Sequence, residues 1–406
     1  MLRSAMLPAG KKETSMTESS DPRHQSTAAT IAAARDFTRR TLIARTAAIG
    51  AVAALGPWIV REARASSGTL SIINWDDELP SPVIPDFEKK TGIKVSTTPF
   101  SQNEEQINKL QATGGEGFDL CQPTHDRAPQ FKDLGLLQAL DEKKLALDNV
   151  LPAIAATSEK YWRWDGKLYH TAHTWGSEAI SWRNDLTTLD YKTLSYGTLW
   201  KDEYKGKVQG RPHSLLLGIG LWMDASGQLP SNRMLDAFES EDKFKKIYDK
   251  ILPFAIAHKP WIKQFWDSAD NTKSGLIENG VVIGQTWDGP PISLKKAGKP
   301  VSYMAPQEGA ITWLDGWAIP TGAKNLEQAY AWLQYIHSPE ASAKVAEGSG
   351  YNPVCKGSDA LLSAEAKAIF NAAYPGDALS RIWPRPAEPS WFGELRGQYA
   401  EKFKAA

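Results

Sequence analysis

From residue 68 onward the chain switches repeatedly between the hydrophobic rhythms of strands and helices. The apolar positions of Gly68–Trp75 alternate, which predicts a short strand. Ser81–Lys90 follows with a cap residue, an early Pro and basic residues in its last turn, and Gly92 ends what reads as a helix. Ile93–Thr97 is the next strand, Glu104–Ala112 the next helix, and Phe118–Cys121 the third strand. This strand–helix alternation predicts an open α/β sheet with its binding crevice at the carboxyl ends of the strands. Residues that reach a ligand should therefore follow the strands: Trp75–Glu78 after the first and Pro123–Asp126 after the third.

A second α/β block runs from about Ser181 to Ile311, with apolar strands expected near Leu215–Leu217 and Val281–Ile283. Helices are predicted over Leu326–Ile336, Pro339–Glu347 and Ala364–Ala373, and Ile382–Trp391 is rich in Pro and Trp. No long linker, repeat or low-complexity run divides residues 66–406. The expected arrangement is two lobes with the chain crossing between them more than once and a small-ligand cleft where they meet.

The first 65 residues read as an address. Residues 1 to about 34 are polar and aperiodic, and a mildly apolar stretch covers Ala47–Val60. That run contains Pro57 and is too short for a membrane span of roughly 20 residues. Thr38-Arg39-Arg40-x-Leu42-Ile43 just before it resembles a twin-arginine (Tat) export signal, and Ala63-Arg64-Ala65 fits a cleavage site. Ala44 stands where a basic residue is usual, with Arg45 one place later. The length of the polar stretch leaves Met1 or Met16 as the start of translation.

Composition sharpens the picture in three ways. The 406 residues carry 47 Lys+Arg and 47 Asp+Glu, but ten of the former and five of the latter fall in residues 1–65. Residues 66–406 therefore hold 37 basic against 42 acidic side chains, a mildly acidic balance suited to cationic ligands and not to nucleic acid. Sixteen Trp are an unusual load; Trp162, Trp164, Trp182, Trp200 and Trp332 read as core, whereas Trp75, Trp287 and Trp313 stand just past strands. Cys121 and Cys355 have no C-x-x-C spacing, and whether they pair stays open.

Catalytic signatures are missing: there is no G-x-S-x-G, H-E-x-x-H, Walker or G-x-G-x-x-G string. His170-x-x-His173 in an extended segment would point to opposite faces, which disfavours zinc. The expectation is a protein without enzymatic activity, metal or cofactor.

Several strings resemble bacterial spermidine/putrescine-binding proteins, the periplasmic solute receptors of ABC importers. They include Ile73-Asn74-Trp75, Asp86-Phe87-Glu88-x-x-Thr91-Gly92-Ile93-Lys94-Val95 and Phe118-Asp119-Leu120. Leu199-Trp200-Lys201-x-Glu203-Tyr204-Lys205-Gly206, Trp287-x-Gly289, Pro306-x-Glu308-Gly309, Trp313-x-Asp315, Ala318-Ile319-Pro320 and Gly350-Tyr351 follow in order. The resemblance covers nearly all of residues 68–406. It implies a two-lobed α/β periplasmic-binding-protein fold (type II) that closes over a ligand without performing chemistry. Residues 66–178 and 315–360 would form lobe one, and 182–311 and 364–406 lobe two. It further implies a small-molecule amine as ligand, an ABC permease as partner, the Tat machinery for export and a monomer in the periplasm.

Matched by motif, Trp75, Trp287, Trp313 and Tyr351 fall on the family's aromatic cage and Asp315 on its principal amine-binding carboxylate. Asp77 matches an acidic loop position, Ser268 a polar contact, and Asp288 is a further carboxylate beside Trp287. Cation–π contacts of about 0.5–2 kcal/mol each suit a cage of this kind. The departures lie in Arg211-Pro212-His213-Ser214-Leu215-Leu216, where His213 and Leu216 replace carboxylates. Glu78 and Asp126 or His125 stand where cage aromatics are expected. Arg211 and His213 would repel a second ammonium and could pair with a carboxylate, so the ligand is a polyamine, a zwitterion such as an ω-amino acid, or another small cation.

Overall fold

The computed structural model describes residues 68–406; the leader, its twin-arginine string, the cleavage pattern and Met16 lie outside the described residues. The fold is α/β and two-lobed. Strand β1 (Gly68–Trp75) lies between β2 (Ile93–Phe100) and β3 (Leu120–Cys121) in a parallel sheet. Helix α1 (Val83–Thr91) links β1 to β2, and Gly92 ends it in the left-handed region (φ 75°), its N–H donating to Glu88 O at 2.8 Å. The helix begins without a side-chain cap, so the expected cap residue Ser81 does not serve that purpose. Helix α2 (Asn103–Thr113) links β2 to β3.

The second sheet is organised by one long strand, β4 (Thr171–Arg183), buried along nearly its whole length. Further along the chain come β5 (Val208–Gly210), β6 (Ile262–Phe265), β7 (Ile283–Trp287), β8 (Val301–Met304), β9 (Ile311–Trp317) and β10 (Trp383–Pro384). The order is β10–β9–β4–β7–β5–β6, with β8 also paired to β4. The first part of β4 pairs with β9 and the last part with β7 and β8. The ladder slips where Asp315 faces Thr174 and Gly316 faces Ala172, leaving His173 as the extra residue of a bulge. Beyond the bulge β9 turns towards β3: Gly316 N–H donates to Pro123 O and Ala318 bridges Cys121.

Two separate cores follow from this path. One gathers Leu70, Ile72, Phe87, Trp317 and Trp332; the other gathers Ile180, Leu215, Phe244, Ile283, Phe392 and Phe403. A third apolar cluster contains Trp75, Trp266, Trp287, Trp313 and Tyr351. The helices expected at 326–336, 339–347 and 364–373 form, the second continuing to Ser349. Trp162, Trp182, Trp200 and Trp332 are buried, while Trp164 is half-buried in a small hairpin.

Leu215–Leu217 is not a strand but lies in helix α3 (Pro212–Ala225). Its apolar residues show no helical stripe because the helix is enclosed on most sides, and that removes the periodic signal. Cys121 and Cys355 are buried free thiols, and burial pushes both pKa values up, that of Cys355 to about 12. Leu216 is wholly buried in the second core. Leu216→Ala should lower unfolding free energy by about 2–5 kcal/mol in a urea titration; a loss below about 1 kcal/mol would contradict this position.

Candidate functional site

A cavity of about 500 Å³ is lined by the third apolar cluster together with residues of α2, α3 and the C-terminal segment 385–404. Its aromatic wall is assembled by strand ends. Trp75 closes β1, Trp287 closes β7, Trp266 directly follows β6, and Trp313 lies within β9. Trp75 meets Trp287 edge-on at 5.8 Å, Trp287 meets Trp266 at 4.9 Å, and Trp313 meets Tyr351 at 4.9 Å. Tyr351 follows Gly350, which ends helix α8 (Pro339–Ser349) in the left-handed region; α4 to α7 are Glu241–Ala257, Ala269–Ile277, Gly289–Lys296 and Leu326–Ile336. Gly176 is required for this wall, since a Cβ there would stand 2.4 Å from the Trp313 ring.

Acidic groups gather beside the aromatics. Glu78 and Asp315 are buried, and Asp77 is half-buried and lines the cavity. The Tyr351 hydroxyl donates to Asp77 Oδ2 at 2.5 Å and Gln122 Nε2 donates to Glu78 Oε2 at 2.8 Å. Asp315 Oδ1 has no hydrogen-bond partner in the protein. Burial pushes the Asp77 and Asp315 carboxyls up to about 7, and burial and then the charge of Asp315 raise Glu78 well above its ordinary value. Among the described residues no Lys or Arg lies within ion-pair distance of these three. The imidazole of His173, 3.8 Å from Glu78, stays neutral because burial holds its pKa near 3.

The opposite end is basic but internally compensated. Arg127 lies 2.8 Å from Glu388 and 3.2 Å from Glu104, and Arg396 lies 2.9 Å from each. Burial alone would raise the Glu104 pKa, yet the two guanidinium groups bring it down to about 2. Asp126 lies 3.8 Å from Arg127 and 3.7 Å from Arg385, and its charge also reaches Asp315. His213 lines the same end, where burial and then the charges of Arg396, Arg211 and Arg385 hold its ring neutral.

Eight of the ten expected site residues therefore line one cavity: Trp75, Asp77, Asp126, His213, Trp287, Trp313, Asp315 and Tyr351. Two do not. Ser268 caps α5, its Oγ accepting from Asn271 N–H at 3.2 Å. Asp288 follows Trp287 and points the other way, accepting from Asn352 at 3.2 Å and Tyr374 at 3.3 Å. Trp266, Glu104, Glu178, Arg127, Arg385 and Arg396 line the cavity without having been singled out in the sequence. Trp266 carried a usable signal, an aromatic just past a strand. The two close histidines serve packing: His170 stacks on Trp162 at 4.8 Å and His173 meets Trp317 edge-on. No group of side chains among the described residues is arranged to hold a metal ion.

The raised carboxyls carry a pH prediction. A carboxyl whose folded pKa is raised contributes stability below its unfolded pKa and loses it as pH rises through the folded value, here from about 4 to about 7. Buried neutral histidines titrate in the opposite sense over part of that window, so the informative quantity is a difference between proteins. The melting temperature of ligand-free Asp315→Asn, relative to the parent, should increase from pH 5 to pH 8. A flat or shrinking difference would refute the buried-carboxyl account.

Known proteins resemble this chain along most of its length. The model of the bacterial extracellular solute-binding protein family matches residues 83–373. The spermidine/putrescine-binding periplasmic protein of Salmonella typhimurium is 29% identical over 307 residues, covering 74% of this chain and 82% of that one. The putrescine-binding periplasmic protein PotF of Escherichia coli is 26% identical, covering 84% and 92%. The crystal structure of the spermidine/putrescine ABC transporter substrate-binding protein PotD of Streptococcus pneumoniae, in complex with calcium and HEPES, superposes with a TM-score of 0.64 at 26% identity, covering 84% and 98%. Two separate cores, to which β9 contributes Trp317 and Ile311 respectively, and a matching family model over residues 83–373 lead to one conclusion: this chain belongs to the bacterial extracellular solute-binding protein family.

Proposed function

We propose that the protein captures a small organic amine in the periplasm and delivers it to the permease of an ABC importer, without altering it chemically. One observation carries this reading: Asp77, Glu78 and Asp315 meet beside tryptophan faces with no protein cation within ion-pair distance. An ammonium group would neutralise the acids, and the aromatic rings would cover its methylene neighbours. The ligands named for the two relatives, spermidine and putrescine, are amines of this kind.

Function then follows from closure. Residues 66–178 and 315–360 act as one lobe and 182–311 and 364–406 as the other, a division supported by the two cores. A ligand that contacts both lobes shifts the open–closed balance, and the closed monomer docks on the permease. The twin-arginine string supports export by the Tat machinery before the leader is removed.

A thermal-shift panel of putrescine, spermidine, 4-aminobutyrate, choline and sugars tests the amine reading. An amine at about a thousand times its Kd should stabilise the protein by about 4 kcal/mol, and Asp315→Asn should abolish that shift. Stabilisation by a sugar and by no amine would overturn the reading.

A further inference from the structure

The basic part of the cavity holds one guanidinium group without an ion pair among the described residues, Arg211, and a second, Arg385, held only by long ion pairs. Arg211 stands at the entrance to α3, its guanidinium 4.8 Å from the Trp287 ring and 5.2 Å from the Trp266 ring. Among the described residues it makes no ion pair within 4 Å, and its side chain donates no hydrogen bond. Arg385 is 9% exposed, with carboxylates only at 3.6 and 3.7 Å and no side-chain hydrogen bond.

The acids nearby are already engaged. Glu178 accepts from Ser214 and Gln285 at 3.0 Å each. Glu388 and Glu104 are taken by Arg127 and Arg396. Asp126 and Glu388 pair with Arg385 only at 3.7 and 3.6 Å, so Arg211 keeps a whole planar fork of unused donors and Arg385 keeps hydrogen-bond donors beside it, a geometry matched to a carboxylate. The N-terminus of α3 adds its positive dipole end to the same place, and neutral His213 beside it offers a further polar contact. A second ammonium placed against Trp287 would meet Arg211, so a linear diamine encounters repulsion where its far end must lie.

We infer that Arg211 and Arg385 form a carboxylate-binding pole opposite the acidic pole of Asp77, Glu78 and Asp315, so that the cavity selects a short ω-amino acid over a diamine. The inference rests on the amine reading above and assigns the other end of the ligand. Arg211 sets specificity: its fork takes the carboxylate while its planar face stays on the two tryptophans.

Calorimetric titration with matched four-carbon probes tests this: 4-aminobutyrate, putrescine and butyrate, with β-alanine and 5-aminovalerate to vary the chain. The parent protein should bind one of the three ω-amino acids at least tenfold more tightly than putrescine, and butyrate more weakly than 4-aminobutyrate. Arg211→Met, which keeps the stem over the rings, should weaken the ω-amino acid at least tenfold and leave putrescine unweakened. Arg211→Lys, which keeps charge without the fork, should fall between; ligand-free melting curves report whether each variant is folded. Putrescine binding more tightly than every ω-amino acid, or equal losses of both classes in Arg211→Met, would overturn the carboxylate pole alone. Absence of binding by every amine, with a sugar binding instead, would overturn the amine reading and this inference together.

Discussion

Three carboxyl groups gathered beside the aromatic wall of the cavity set the terms for everything around them. Glu78 and Asp315 have lost their water, Asp77 retains part of its own, and among the described residues no Lys or Arg lies within ion-pair distance of the three. Removing a carboxylate from water costs several kcal/mol unless a cation or hydrogen bonds offset it. The protein offsets part with Tyr351 and Gln122 and leaves Asp315 Oδ1 without a hydrogen bond. A cationic ligand supplies the remainder, so the free site is held short of its electrostatic optimum by the fold itself.

That strain is imposed through backbone geometry. β9 carries both Trp313 and Asp315; past the bulge at Asp315 and Gly316 it stays paired with β4 as far as Trp317, and Ala318 then bridges β3. The same ladder enters the second core, so the site acids are tied to both halves of the molecule. At the other end, Arg127, Glu388, Arg396 and Glu104 join residues near 104–127 to the C-terminal segment through compensated ion pairs. The cavity therefore combines an acidic group, an aromatic wall and a basic group in which Arg211 alone has no ion pair among the described residues.

Much of this was legible where local signals agree with tertiary placement. Gly92 marked a helix end, the strand–helix alternation gave the first parallel sheet, and Trp75 and Trp287 followed strands as binding residues should. Legibility failed where burial on all sides erased the periodic signal, as in α3, whose Leu215–Leu217 read as a strand. Ser268 and Asp288 failed for another reason: adjacency to site residues does not fix the direction of a side chain, and each serves a neighbouring helix or hydrogen-bond group. Arg211 was legible as a departure from the family pattern, but Arg127, Arg385 and Arg396 were not, because they join it only through the tertiary fold.

The measurement closest to the central claim is the pH dependence of amine binding, followed by calorimetry in buffers of low and high ionisation enthalpy. Carboxyls with pKa values near 7 hold protons in the free protein and give them up when an ammonium arrives. Affinity for an amine should therefore rise from pH 5 to pH 8, with proton release visible as a buffer-dependent heat near neutrality. Affinity independent of pH, with no buffer-dependent heat, would contradict a buried acidic pole as the seat of recognition.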